Sequence, residues 1–333
     1  MKRFIKILCV LLAVTAVLTS CFPVGDLAAN NPEKTKYLFL IVGMDDAAAN
    51  TDVLFTVSYD AETLTTRIAQ IPRDTYFNFG DSQNKINQVY ASGLSRGKSE
   101  KESLDDFARM LEKAFGVKFD GFIGVNLSVL RNLVDGLGGV DIILNADLDI
   151  TVDGVDGAIS LKKGVNRIDG ATAEKFVRFR SGYAMGDLGR VDAQKIFLNA
   201  LFTRVASGVS FPMLLNIVKI VQNETVTDMS FAKFVNLVFD SLSKKGEKST
   251  FYATVPGEPT NTPSGLSYYV LNKKSTAEMV KSYMFSYSDF DPEKRFFTDK
   301  YDSFVNIYND DSINLREFSK ESLSDMHIAS SKQ

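Results

Sequence analysis

From Tyr37 to Gly43 the chain reads YLFLIVG, an apolar run of strand length with no alternation in it. A strand with one wet face alternates, so an unbroken run marks a strand covered on both faces. VLFTVSY (53–59) and TRIAQI (66–71) predict two more strands, joined as a hairpin through DAETLT. The period then lengthens: Leu104, Phe107, Ala108, Leu111 and Phe115 recur every three or four positions and predict a helix over 104–115, with a second over 128–137. GFIGV (121–125) and GVDIIL (139–144) read as strands beside these helices, and DGVDG (153–157) with Gly164 punctuates a small hairpin excursion. The second half is more helical, over 169–176, 188–207, 212–221 and 231–242. TFYATV (250–255) returns to the sheet and 275–284 closes as a helix. From Tyr287 onward charged and aromatic residues mix without a period, and there is no internal repeat. The pattern predicts an α/β domain, α+β-like in its three layers, with a central mixed sheet covered by helices on both faces.

The first residues, MKRFIKILCVLLAVTAVLTSC, carry a basic start, an apolar stretch from Ile7 to about Thr19 and small residues up to Cys21. That is the layout of an export signal. The stretch is short of the roughly 20 apolar residues a membrane span needs. Leu18-Thr19-Ser20-Cys21 resembles the bacterial lipobox, which implies cleavage before Cys21 and lipid attachment to its thiol; the alternative is an uncleaved signal anchor. Either places the body outside the cytoplasmic membrane, on the extracytoplasmic face. The chain thus divides into a signal peptide (1–20), a small and polar tether (21–36), a folded body (37–285) and a polar C-terminal extension (286–333), expected to be partly disordered.

Composition narrows the class. With 333 residues and 45% hydrophobic positions, the bulk of the chain is that of an ordinary globular protein. The formal charge of −3 includes Lys2, Arg3 and Lys6 of the signal, where there is no acid, so removing residues 1–20 leaves about −6. An acidic body lacks the basic footprint that non-specific nucleic-acid binding requires, and no nucleic-acid partner is expected. Cys9 lies inside the signal, so the mature chain holds one cysteine and no internal disulfide. Its stability rests on a sizeable core.

Three segments carry candidate chemistry. In KFVRFRSGYAMGDLGRVDAQ (175–194), Arg178 and Arg180 are two apart, which puts them on one face of an extended chain but on nearly opposite sides of a helix. For both to serve one site, the preceding helix must end near Phe176. Asp187, Arg190 and Gln194 follow at helical spacing along one stripe. Arginines converging this way suit a phosphate group, because the planar fork gives bidentate and permanently charged hydrogen bonds. The alternative is surface pairing with Glu174, Asp187 or Asp192. In IPRDTYF (71–77), Pro72 stops the strand, leaving Arg73 and Asp74 at its C-terminal end, where α/β sheets place ligand sites. Lys85 and Asn87 follow on a loop before a helix. In VGMDDAAANTD (42–52), Asp45 and Asp46 follow the first strand and Asp52 precedes the second. Such carboxylates either share Mg²⁺ with substrate phosphates, bind calcium, or serve turn chemistry.

Taken in order, VGMDDAAANTDVLFTVSYD, IAQIPRDTYF, KINQVYASG, LVDGLGGVDI, GVNRIDGATAEKFVRFR and GDLGRVDAQ resemble the LytR-CpsA-Psr family of bacterial cell-envelope enzymes, over about Tyr37 to Leu201 and more weakly to about residue 285. The resemblance implies transfer of a glycopolymer, wall teichoic acid or a capsule-like polysaccharide, from an undecaprenyl-pyrophosphate carrier to peptidoglycan in cell-wall biogenesis. It implies an apolar pocket for the prenyl chain, Mg²⁺ or Mn²⁺ on the diphosphate, and arginines clamping that diphosphate. Asp45 and Asp52 match the family's metal-associated acids, Arg73 its Pro-Arg-Asp arginine, Lys85 and Asn87 its Lys-Ile-Asn, Arg178 and Arg180 its paired arginines, and Asp187, Arg190 and Gln194 its late helix motif. Two departures stand out: Asn50-Thr51-Asp52 replaces Arg-Ser-Asp, and Ala193-Gln194 replaces Arg-Gln, so two diphosphate contacts are expected to be missing.

The expected reaction is in-line attack by a peptidoglycan hydroxyl, with Arg73, Arg178, Arg180 and Arg190 neutralising the diphosphate. Asp52 is the expected general base, or a metal ligand with Asp45, and Asp74 is expected to orient Arg73. His327, the one histidine, lies in the tail, which removes a histidine base or zinc site from consideration. Two other functions stay open: a non-catalytic envelope lipoprotein that binds polyprenyl phosphates or polymer, and a lipid pyrophosphatase. Transcriptional regulation is disfavoured by the export signal and the acidic body. Periodicity does not locate the prenyl pocket, and the apolar residues of the helices over 104–137 and 188–220 are expected to be core.

Overall fold

The computed structural model describes residues 34–44, 50–80, 84–152, 155–180, 183, 187–208, 210–230, 246, 248–286, 295–296, 302–319 and 322–325. The expected helix over 231–242, the signal with Cys21, and Asp45 lie outside the described residues. In chain order come β1 (Lys36–Met44), β2 (Thr51–Asp60), β3 (Thr65–Gln70), α1 (Val89–Ser95), α2 (Glu100–Phe115), β4 (Gly121–Asn126) and α3 (Leu127–Gly136). Next are β5 (Val140–Leu144), β6 (Leu148–Val152), β7 (Val155–Leu161), β8 (Gly164–Ile168), α4 (Gly170–Arg178), α5 (Asp187–Ala206), α6 (Phe211–Glu224) and β9 (Val226–Thr227). The last are β10 (Ser249–Thr254), β11 (Gly257–Asn261), β12 (Ser267–Leu271), α7 (Lys273–Met284), α8 (Asp302–Tyr308) and β13 (Glu317–Ser319).

The central sheet has seven strands among the described residues, ordered β13-β10-β3-β2-β1-β4-β9. It is mixed, as expected: β1 pairs antiparallel with β2 and parallel with β4, and β3 pairs parallel with β10. The excursion after α3 is two nested ribbons, β5 with β8 and β6 with β7.

The unbroken apolar run of β1 has a two-sided explanation. Leu38, Leu40, Val42 and Met44 join Phe107, Leu111 and Phe115 of α2 and Met279 and Tyr283 of α7 in one packed core. Helix α2 is fixed at both ends: Ser99 and Glu102 form a reciprocal capping box, and Gly116 closes the helix in the left-handed region at φ 64°. Each such cap contributes about 1 kcal/mol. The alternate residues of β1 face the other way. Ile41 and Gly43, with Val53 and Phe55 of β2 and Ile123 and Val125 of β4, line a cavity roofed by α3 and α5. A second core, with Ile142, Ile150, Phe176 and Ile196, holds the two ribbons against α4 and α5.

The described parts of the extension after residue 285 pack on this body. Strand β13 adds to the sheet edge beside β10, Phe304 of α8 meets Tyr76 and Tyr268 edge-on, and Phe296 stacks with Phe77 and Phe115.

Candidate active site

The register between β1 and β2 breaks at the end of the ladder. Gly43 faces Val53 and Met44 faces Thr51, so Asp52 is the extra residue of a bulge. Consecutive strand residues normally point to opposite faces, yet Asp52 and Val53 both line the cavity. The bulge is what turns the carboxylate to that side. Gly43 is required opposite it, since a Cβ there would sit 2.8 Å from the Cβ of Val53.

Asp52 begins a ladder of alternating charge. Arg73 donates from Nη1 to Asp52 Oδ1 at 2.6 Å, its Nε lies 3.7 Å from Asp74 Oδ2, and Lys85 donates from Nζ to Asp74 Oδ1 at 2.9 Å. On the other side of Asp52, Arg180 Nη2 stands 4.0 Å from Oδ1. A short hairpin aligns these residues: after Pro72 ends the β3 ladder, the chain through Thr75 and Phe77 runs against Asn84–Asn87, with Ile86 N donating to Thr75 O and Asn87 N to Arg73 O. Arg73 and Lys85 are thus brought together by backbone pairing, with Asp74 bridging them. Asp74 does contact Arg73, but the shorter Arg73 bond goes to Asp52. Lys85, the last rung of this ladder, and Asn87 are not part of the cavity wall.

Arg178 and Arg180 both reach the cavity, by a geometry other than the expected one. Helix α4 does not end near Phe176; it continues through Arg178, and Phe179 leaves it at φ −59°, ψ 138°. Arg178 is therefore the last helical residue and Arg180 follows on extended chain. The helix continues because Arg178 keeps an i,i+4 bond to Glu174, Nη1 to Oε1 at 2.9 Å. Glu174 also accepts from Arg131 of α3 at 2.7 Å. Buried to 6% exposure, it holds two arginines, one of its own helix and one of α3, and so ties the two helices together. Its contact with Arg178 is the surface-pairing alternative left open by spacing, but in a buried setting. A buried charge needs such partners.

On α5, Arg190 and Gln194 are one turn apart, both on the cavity wall, and Arg190 is only 2% exposed. The side chain of Asp187 lies outside what is described. Gln194 accepts from Gln70 at 2.7 Å and donates to Val177 O at 3.2 Å, so its amide links α5 to the end of β3 and to α4. Ala193 is fully buried in the second core and is not on the cavity wall. In this chain that position is a packing position.

The cavity is about 470 Å³, lined by Leu130 and Leu133 of α3, Phe197, Leu201 and Phe202 of α5, and the sheet residues named above. Asp52, Arg178, Arg180, Arg190 and Gln194 supply its polar wall. This corrects the reading of the helices as plain core: α2 is core, whereas α3 and α5 also face the cavity. Sequence periodicity marks an apolar stripe without saying whether atoms or empty space lie opposite it.

Among the described residues no three His, Cys, Asp or Glu side chains gather to hold a metal by themselves. The carboxylate donor described on the cavity wall is the Asp52 oxygen beyond that bonded to Arg73. A carboxylate oxygen fits a hard ion completing its shell with phosphate oxygens, rather than a nitrogen- and sulfur-bound one.

The model of the LytR_cpsA_psr family matches residues 23–284. This chain belongs to that family. It is 28% identical over 244 residues, 72% of each chain, to the polyisoprenyl-teichoic acid–peptidoglycan teichoic acid transferase TagU of Oceanobacillus iheyensis. The fold is shared with the crystal structure of Bacillus subtilis TagV, at TM-score 0.62 and 23% identity over 76% of this chain and 98% of that one. It is also shared with TagT bound to LI-WTA, at TM-score 0.60 and 22% identity, covering 77% of this chain and 92% of that one. The LytR-CpsA-Psr match spans the cavity and every charged residue of the ladder.

Proposed function

We propose that this LytR-CpsA-Psr protein transfers a glycopolymer, of the wall teichoic acid or capsule-like class, from a polyprenyl-pyrophosphate carrier to peptidoglycan. The observation that carries the proposal is the join of an apolar cavity of about 470 Å³ to a wall of three arginines. A ligand that satisfies both is an amphiphile with a long apolar chain and a polyanionic head. The names of the relatives, teichoic acid transferases, supply the reaction class.

In this reading a peptidoglycan hydroxyl attacks the phosphorus bearing the glycan. The new phosphoester bond forms as the bridging P–O bond breaks, its electron pair leaves with the lipid phosphate, and the hydroxyl proton passes to a carboxylate or to water. Arg178, Arg180 and Arg190 bind the diphosphate and neutralise charge on the leaving group, where most catalysis of phosphoryl transfer arises. Arg73 holds Asp52 in place at the bulge. Bound Mg²⁺ or Mn²⁺ would neutralise further phosphate charge, with Asp52 as its described oxygen donor and Asp45 as the acid the family motif adds. The remaining Asp52 oxygen then serves either that ion or the hydroxyl proton.

We place the body on the extracytoplasmic face of the membrane, held through Cys21 or an uncleaved anchor, on the strength of the N-terminal sequence. No helix among the described residues is long and apolar enough to cross a membrane. Burial of Ala193 in the core bears on the rival readings, because the departure there leaves no gap in the cavity wall. Incubation with an undecaprenyl-pyrophosphoryl glycan, Mg²⁺ and peptidoglycan tests the assignment. Polymer linked to peptidoglycan is expected; free lipid phosphate alone marks a pyrophosphatase, and no turnover marks a binding protein.

A further inference from the structure

The C-terminal extension runs on past the LytR-CpsA-Psr match, which ends at residue 284, and its last described residues are built into the body. Strand β13 pairs antiparallel with β10, Phe318 opposite Tyr252 and Glu317 opposite Ala253. Alternation divides its side chains between the two faces of the sheet. Glu317 accepts from the Tyr283 hydroxyl of α7 at 2.6 Å, whereas the Phe318 ring lies on the α5 side, 5.6 Å from Lys195 Nζ. Lys195 is 2% exposed and bonds to Asp192 at 2.9 Å, so the strand covers a charge that needs these partners out of water. After β13 a helical turn, Ser322–Asp325, lies against α5. Ser322 ties it to the strand by donating from Oγ to Ser319 O at 3.0 Å.

Leu323 of this turn is 1% exposed and joins Ile68, Tyr252 and Phe318 in a third apolar cluster. Five further members of that cluster, Ile41, Val53, Phe55, Leu198 and Leu201, also line the cavity. Leu323 and Phe318 thus form a second layer behind the cavity wall on its β10 side. A cavity of about 470 Å³ has the size of a site for a drug-sized ligand, so it takes up only part of a long prenyl chain. The wall that stops the chain decides how much.

We propose that β13 and the turn Ser322–Asp325 are a specificity element of the carrier site: Leu323, in the layer behind Phe55 and Leu198, sets the length of prenyl segment the cavity accepts. The assignment rests on the carrier reading given above. A close-packed wall yields only when the layer behind it does. Removing the Leu323 side chain leaves apolar space behind the wall, into which Phe55 and Leu198 can retreat.

Titration calorimetry of the full chain in detergent, with farnesyl or geranylgeranyl pyrophosphate and Mg²⁺, tests this. The readout is the ratio of the two affinities, compared between parent and variant so that partition of the probes into micelles cancels. Leu323→Ala should shift the ratio toward the longer chain by about tenfold. Leu323→Val, which keeps the test if the alanine variant does not fold, should shift it the same way by about threefold. Leu104→Ala, the same truncation in the core shared by β1 and α2, should leave the ratio at the parent's value. A ratio that stays unchanged in the Leu323 variants, or moves toward the shorter chain, overturns the role of Leu323 and leaves the carrier reading standing. So does an equal shift in Leu104→Ala, which would mean general loosening of the fold. A parent chain that binds neither pyrophosphate overturns the carrier reading and the role of Leu323 with it.

Discussion

The two faces of the central sheet are built from neighbouring residues of the same strands, yet they differ in what covers them. On one, Leu40 and Val42 of β1 meet Phe107 and Leu111 of α2 with no exposed atoms to spare. On the other, Ile41 and Gly43 meet the cavity below α3 and α5. A packed face gains dispersion and hydrophobic energy from close contact, and loses both when a side chain shrinks. A hollow face forgoes part of that gain and keeps room for a ligand.

That contrast can be broken from either side. The largest effect is expected on the packed face: Phe107→Ala should lower unfolding free energy by about 3–5 kcal/mol in urea melts. A value as small as that for a cavity residue would erase the distinction. On the hollow face Arg73→Ala should reduce transfer about 100- to 1,000-fold by releasing Asp52, read as initial rates of polymer linkage, while the melting temperature moves little. An unchanged rate would remove the ladder from the chemistry. Gly43→Ala crowds Val53 at the bulge and should cost about 1–3 kcal/mol with a parallel loss of transfer. If stability falls and rate does not, the bulge is structural only. Leu130→Ala should cost about 1 kcal/mol, because its side chain already borders empty space, and should weaken farnesyl pyrophosphate binding by calorimetry. The smallest effect is expected for Arg180→Lys: the residue is half-exposed and 4.0 Å from Asp52, and losing the fork should slow transfer by less than about tenfold.

Much of the fold was legible because strand and helix periods are local. The runs at 37–43, 53–59 and 66–71 and the stripe from Leu104 to Phe115 reappear as β1, β2, β3 and α2 with ends shifted by a few residues. Part of the site was legible for the same reason: Arg190 and Gln194 share a helix stripe and both reach the cavity. The end of α4 was misread because alternation on an extended chain was the simplest way to bring Arg178 and Arg180 together. A side-chain bond from Arg178 to Glu174 and a change of direction at Phe179 achieve it instead.

The sequence alone determined the order of elements, the residue types of the anion site and the family motifs, because each depends on a few adjacent side chains. Tertiary structure decided the rest. It made Asp52 a bulge residue, put Ala193 in the core, paired Arg73 with Asp52 before Asp74, and left one face of the sheet hollow. These outcomes depend on contacts between segments far apart in the chain, such as Gln70 with Gln194. A cavity is a property of the space such segments fail to fill, and no residue encodes it by itself.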